Sequence, residues 1–202
     1  MIGAVILAAG QSRRMGRNKM LLPYGMSTVL ETIVTEVAAC SAVADVVVVT
    51  GHESDRIAAL LASYPARCVF NPAYAHAEML VSLQVGLRAL STSVQAALIV
   101  PGDHARLRRQ VFQRVSEAYQ PGAFVIPSYQ MKRGHPILID RMWWDELLAL
   151  PEAATLRDFI RAHEEHIRYV VVDTDSVLKD MDTPEEYQSL RTAEARSTQR
   201  NA

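Results

Sequence analysis

The run Ile2–Ala8, IGAVILA, constrains the fold more than any other stretch of the chain. It is apolar throughout and lacks the polar alternation of a half-solvated strand, so both of its faces must be covered. Residues 44–49, with four consecutive valines, and 96–100, AALIV, read the same way; 68–70 is a shorter strand. Between them, 28–40 carries Val29, Leu30, Ile33, Val34 and Val37 at helical spacing. Residues 53–62 show a charged and apolar helical pattern, and 78–90 aligns Leu80, Leu83, Leu87 and Leu90 on one face. This β-α-β-α-β rhythm predicts an α/β fold: a doubly wound, mostly parallel sheet flanked by helices on both faces. Helices follow over 111–119, 142–150 and 155–166. Strands follow at 124–126, ended by Pro127, then after Pro136, and at 169–172. Trp143 and Trp144 are neighbours on a helix, so one is expected to face outward or toward a partner or ligand. His163 and His166, among acidic residues, read as surface side chains. Residues 1–191 are expected to form a single domain. The stretch 192–202 has no apolar face and reads as a flexible tail.

Half of the 202 residues are apolar, 21% are charged, and the formal net charge is −1. The cations gather in one place and do not form a stripe, which argues against nucleic acid or a membrane surface as a general partner. No apolar run is long enough to span a bilayer, and no basic segment with a cleavage site precedes the first strand, so the expected location is cytoplasmic. Cys40 and Cys68 have no metal-binding spacing and are expected to be reduced thiols.

That one place is the loop behind the first strand. Ala8, Ala9 and Gly10 are small enough for backbone to approach a ligand, and Gly16 permits a further turn. Arg13, Arg14, Arg17 and Lys19 put four cations into seven residues. Directional N–H donors with Arg and Lys charge suit a polyphosphate; a solvated basic turn has the same composition. Two common phosphate loops are excluded. Five residues, not four, separate Gly10 from Gly16, and Lys19 precedes Met20, so this is no Walker A loop. The glycine spacing is not that of a dinucleotide fingerprint, and the second strand runs out into Thr50-Gly51-His52 with no acidic residue.

Polyphosphate chemistry asks for a magnesium ion held by one or two carboxylates. Asp103 ends the turn after strand 96–100, where ligands dock on such sheets. Asp182 stands just ahead of Pro184. Taken alone, Asp103 is equally a turn residue and Asp182 equally a helix cap.

The first stretch, Leu7-Ala8-Ala9-Gly10-Gln11-Ser12-Arg13-Arg14-Met15-Gly16-Arg17-Asn18-Lys19, resembles the signature L-A-[AG]-G-x-S-x-R-M-G-x-x-K of the MobA/MocA-like nucleotidyltransferases at all nine specified positions. Asp180-Met181-Asp182-Thr183-Pro184-Glu185-Glu186-Tyr187 is similar to that family's second acidic motif. Asn71 to Leu87 is similar to the stretch lying along its nucleotide, except for Glu78 in place of Gly, and Arg133-Gly134-His135-Pro136 to its acceptor-side turn. The turn at Asp103 departs from the family, with His104-Ala105-Arg106 and no proline.

The resemblance implies a Rossmann-like fold of the nucleotide-diphospho-sugar transferase type. It implies that Leu7, Ala8, Ala9, Gly10, Ser12, Arg13, Arg14, Gly16, Lys19 and Ser82 bind the nucleotide. Arg14, Lys19 and Asp103 would be catalytic, Gly134 and His135 would meet the acceptor, and Asp103 and Asp182 would hold Mg²⁺. Ala9 is the residue of the cytidylyl branch. The implied reaction transfers CMP from CTP to the terminal phosphate of molybdopterin or the molybdenum cofactor, with a molybdoenzyme or its maturation factor as a downstream partner. The alternatives are a sugar or isoprenoid phosphate as acceptor, GTP as donor, or a nucleotide-binding maturation factor without turnover.

Overall fold

The computed structural model describes residues 1–76, 78–181 and 183–200, with side chains as far as residue 192. The strands are β1 (Ile2–Ala8), β2 (Pro23–Tyr24), β3 (Ser27–Thr28), β4 (Val43–Thr50), β5 (Arg67–Phe70), β6 (Ala96–Pro101), β7 (Phe124–Tyr129), β8 (Lys132–Arg133), β9 (Ile137–Asp140) and β10 (Ile167–Val171). The helices are α1 (Val29–Ala38), α2 (Ser54–Leu60), α3 (Met79–Ala89), α4 (Arg109–Glu117), α5 (Trp144–Ala149), α6 (Leu156–Ala162) and α7 (Pro184–Arg200). The main sheet has the order β10-β7-β9-β6-β1-β4-β5, with β8 paired to β7 and β2–β3 a separate hairpin. In the main order only β9 runs against its neighbours β6 and β7.

Both faces of the sheet are covered, as the unbroken apolar strands require. On one face Leu30, Ile33 and Val34 of α1, Ile57 of α2 and Phe112 of α4 pack on Ala4, Ile6, Val48 and Leu98. On the other, Leu83 and Leu87 of α3, Leu147 of α5 and Phe159 of α6 pack on Val5, Val47, Val49 and Ile99. Alternate residues of one strand thus feed two cores. α1 starts where Thr28 accepts from Glu31 N and Glu31 accepts from Thr28 N, a reciprocal cap.

A third, smaller cluster joins the ends of the chain. Met15 and Leu22 from the cationic stretch pack with Ala105, Met181, Tyr187 and Leu190. Tyr187 Oη donates to Pro23 O at 2.8 Å. The first loop is therefore clamped by the last helix.

Two expectations change. Pro127 does not end its strand. N–H and C=O of one strand residue point the same way, and Pro127 O accepts from Gly134 N at 2.9 Å. The missing donor therefore faces the turn between β8 and β9, and pairing with Val170 of β10 continues. Trp143 and Trp144 are both buried, because Trp143 closes a tighter helical turn (Arg141–Trp143) before α5 begins. Trp143 stacks on Phe124 at 5.0 Å, with Nε1 donating to Gly122 O, while Arg141 covers Trp144 at 4.8 Å. The rings of His163 and His166 lie 4.6 and 4.9 Å from Trp143 and shield it from solvent. α7 runs as far as Arg200, since lack of an apolar face removes a packing surface without barring helical backbone.

Gly86 of α3 sits where a Cβ would lie 2.2 Å from Val5 Cγ1 and 3.0 Å from Val49 Cγ2. Alanine normally gains about 1 kcal/mol over glycine in a helix. Here both valines are fully buried, so the clash outweighs that gain. Gly86→Ala should lower the urea midpoint by an amount equivalent to about 1–3 kcal/mol; an unchanged or raised midpoint contradicts the close approach of α3 to β1.

Candidate active site

The parallel strands end together. Ala8 of β1 pairs with Thr50 of β4, and Leu7 with Pro101 of β6. Backbone bonds continue past the strands: His52 N donates to Ala9 O at 3.3 Å and Gly102 N to Leu7 O at 3.0 Å. Three turns thus converge on one edge: the cationic loop, the turn at Gly51, and the turn carrying Asp103. A Cβ on Gly51 would meet Tyr74 and Ala9 O at 2.5–2.6 Å, so only glycine lets the second turn lie this close to the first.

The cationic loop is built, not slack. Ser12 is left-handed, with φ 50°, and its Oγ accepts from Lys19 N at 3.1 Å. Gly16 takes φ 66°. Buried Asn18 accepts from Met20 N and donates through Nδ2 to His52 O. Ser12 and Asn18 therefore fix the backbone on which Lys19 stands. Gly10 is solvent-open, and a Cβ there would meet nothing. Around it lies a cleft of about 330 Å³ lined by Gly10, Ser12, Arg13, Arg14, Lys19 and Tyr74. Arg13 and Arg14 are exposed on its rim, and Arg13 Nε donates to Gln11 Oε1. Leu7 and Ala8 end β1 and Ala9 follows it into the loop.

Lys19 reaches across this edge to Asp103, with Nζ 2.5 Å from Oδ2 and both side chains largely buried (12% and 14% exposed). Oδ1 of the same carboxylate faces His104 Nε2 at 4.0 Å, beyond hydrogen-bond reach. His104 is buried and meets the His135 ring edge-on at 5.4 Å. His135 N donates to Val177 O, and a Cβ on Gly134 would lie 2.4 Å from that same oxygen. The Gly134-His135 turn thus lies against the residue following Asp103. Burial first, and then the neighbouring His104, lower the His135 pKa to about 4, against weaker opposition from Asp103 and a backbone contact at Ile99.

Of the residues singled out in the sequence, the structure gathers Gly10, Ser12, Arg13, Arg14, Lys19 and Asp103 at one edge, with Gly134 and His135 alongside. Gly16 shapes the loop from behind. Ser82 is buried, and its Oγ accepts from Asn71 Nδ2 at 2.9 Å. It holds the segment that carries Tyr74 and His76. Asp182 lies outside the described residues; Met181 beside it in sequence is buried with Met15 and Ala105. Glu78 precedes α3 and is exposed. Asn18 is a positioning residue that the motif spacing did not single out, whereas His104 stands out in the sequence through the altered turn that follows Asp103.

Among the described residues, no cluster of three or more His, Cys, Asp or Glu could by itself enclose a metal. That suits magnesium, which takes one or two carboxylates and fills its shell with water and phosphate oxygens. A hard carboxylate at the strand edge, beside a polyphosphate-sized cationic cleft, fits such an ion.

A His135 kept neutral by burial ties stability to pH. Between about 6.5 and 4 the unfolded chain takes up this proton and the folded chain does not, so stability falls as pH drops through that window. The loss is up to about 3 kcal/mol. Urea midpoints at pH 7 and pH 5 should show a larger acid loss for wild type than for His135→Gln; equal losses rule out the buried neutral imidazole.

The profile of the family described as MobA-like NTP transferase domain matches residues 4–167. The chain is 27% identical over 188 residues to the molybdenum cofactor cytidylyltransferase of Escherichia coli (strain K12), covering 92% of this chain and 93% of that protein. Two solved structures share the fold. One is a nucleotidyl transferase from Methanothermobacter thermautotroptrophicus, Mth528, with TM-score 0.85, 23% identity and coverage of 98% and 99% of the two chains. The other is Rv0371c from Mycobacterium tuberculosis H37Rv, with TM-score 0.81, 25% identity and coverage of 95% and 97%. The latter protein has also been solved in complex with manganese.

Proposed function

The chain belongs to the MobA-like NTP transferase domain family, and from that premise we propose that it transfers CMP from CTP to the terminal phosphate of molybdopterin or its molybdenum-loaded form. The observation that carries the reading is the Lys19–Asp103 contact at the rim of the cationic cleft. It holds the cation for a triphosphate and the carboxylate for its metal at a single point.

In this reading the triphosphate lies on the backbone of Gly10 to Ser12, with Arg14 and Lys19 neutralising its oxygens. Asp103 and Asp182 are the residues that would hold Mg²⁺. When bound, that ion spreads charge from the α-phosphate and the departing pyrophosphate. A phosphate oxygen of the acceptor forms the new bond to the α-phosphorus, and the bond to the bridging oxygen breaks in line. A phosphate dianion is already a competent nucleophile, so no general base is required. His135, neutral by burial, does not compete with Lys19 or Arg14 for the anion. Catalysis is positioning and electrostatics. Ala9 and the Escherichia coli relative support CTP as donor and molybdopterin as acceptor.

Pyrophosphate release, measured across four NTPs with molybdopterin and with sugar and isoprenoid phosphates, should be fastest with CTP and molybdopterin. Release with a different acceptor reassigns the substrate, and tight CTP binding with no release for any acceptor marks a factor without turnover. Lys19→Ala and Asp103→Ala should each cut turnover by roughly 10²-fold or more with the circular dichroism spectrum unchanged; wild-type rates from either variant defeat the assignment.

A further inference from the structure

On the side of His135 away from Asp103, the sheet face opens. Two depressions, of about 210 and 360 Å³, meet along Met79, Leu156 and Arg157. The floor of the smaller is apolar, from Ile126 and Ile137, and His135 and Arg133 stand at its side. The cover then gives out. Ile167 of β10, paired with Phe124, lies under the helical layer, but Tyr169, paired with Ile126, and Val171, paired with Ser128, are 46% and 66% exposed on the same sheet face. Exposed apolar side chains continuous with a concave apolar floor call for an occupant.

The polar groups here are arranged sparsely. Arg133 is parked over the Tyr169 ring at 5.2 Å, held at the rim by a cation–π contact. Arg157, one residue into α6, is exposed and makes no ion pair among the described residues. Two carboxylates stand near it: Asp158, whose side chain accepts from Oγ1 of Thr155, the N-cap of α6, and Glu78 across the larger depression. His135 Nδ1 is buried at the inner wall with no hydrogen-bond partner among the described residues.

We infer that this cleft binds the ring end of the acceptor, and that Arg157 is the residue selecting a flat heterocycle with hydrogen-bond-accepting edges over a small polyhydroxylated phosphate. The inference rests on the proposed reading of the transfer site and deepens it. An aromatic ring laid across Ile126, Ile137 and Tyr169 buries apolar surface that a sugar leaves wet. The guanidinium fork of Arg157 offers paired donors to a ring carbonyl and nitrogen. The ring's phosphate then extends past His135 toward Asp103.

The test is calorimetric binding of a pterin bearing a phosphate monoester, with a hexose phosphate as comparator, to wild type and Arg157→Ala, alongside pyrophosphate release. Wild type should bind the pterin phosphate and not the hexose phosphate. Arg157→Ala should weaken pterin binding and raise the acceptor KM by about tenfold or more, the effect of one lost charge-assisted hydrogen bond, with the KM for CTP and the melting temperature unchanged. Equal binding by wild type and variant overturns the inference, as does preference for the hexose phosphate or no pterin binding at all. Arg157-dependent pterin binding with no pyrophosphate release from any NTP upholds the inference and defeats the transferase reading.

Discussion

Every functional statement about this chain depends on the register of one strand. β1 pairs with β4 on one side and β6 on the other, and the three run out within a residue or two of one another. Their parallel sense sends each next segment away from the same edge, so residues distant in sequence arrive as neighbours. Lys19 and Asp103 are 84 positions apart and in contact. Nothing local holds them together. The sheet does, with Gly51 and Gly102 admitting the turns at backbone distance.

The site is also defined by which charges it keeps. Lys19 and Arg14 bring cations to the cleft, whereas burial and the neighbouring His104 disfavour a proton on His135. Positive charge is therefore concentrated on the cleft above β1. The depression beside His135 has an apolar floor, with Arg133 and Arg157 at its rim. A single edge of the sheet thus presents two chemically different halves, one cationic and one apolar.

β9 creates that division. Running against β6 and β7, it returns the chain to the strand edge and lays the His135 turn against His104. The turn without the family's proline has a structural use here: the His104 imidazole meets the His135 ring, and Ala105, where the proline is missing, enters the cluster that clamps Met15 to Tyr187. Loop, turn and last helix are consequently one mechanical unit.

The α/β class, the doubly wound sheet and the cationic loop were legible from residues alone, because unbroken apolar strands and helical leucine spacing report burial directly. So were Lys19 and Asp103 as separate candidates. The sequence could not show that Ser82 accepts from Asn71, that Trp143 and Trp144 are both interior, that Pro127 sits within a strand, or that Arg157 lines an open cleft. Each depends on which segment comes to lie opposite, and that is decided by strand order and by a change of helical pitch. Periodicity records whether a side chain is covered; only the tertiary structure says by what.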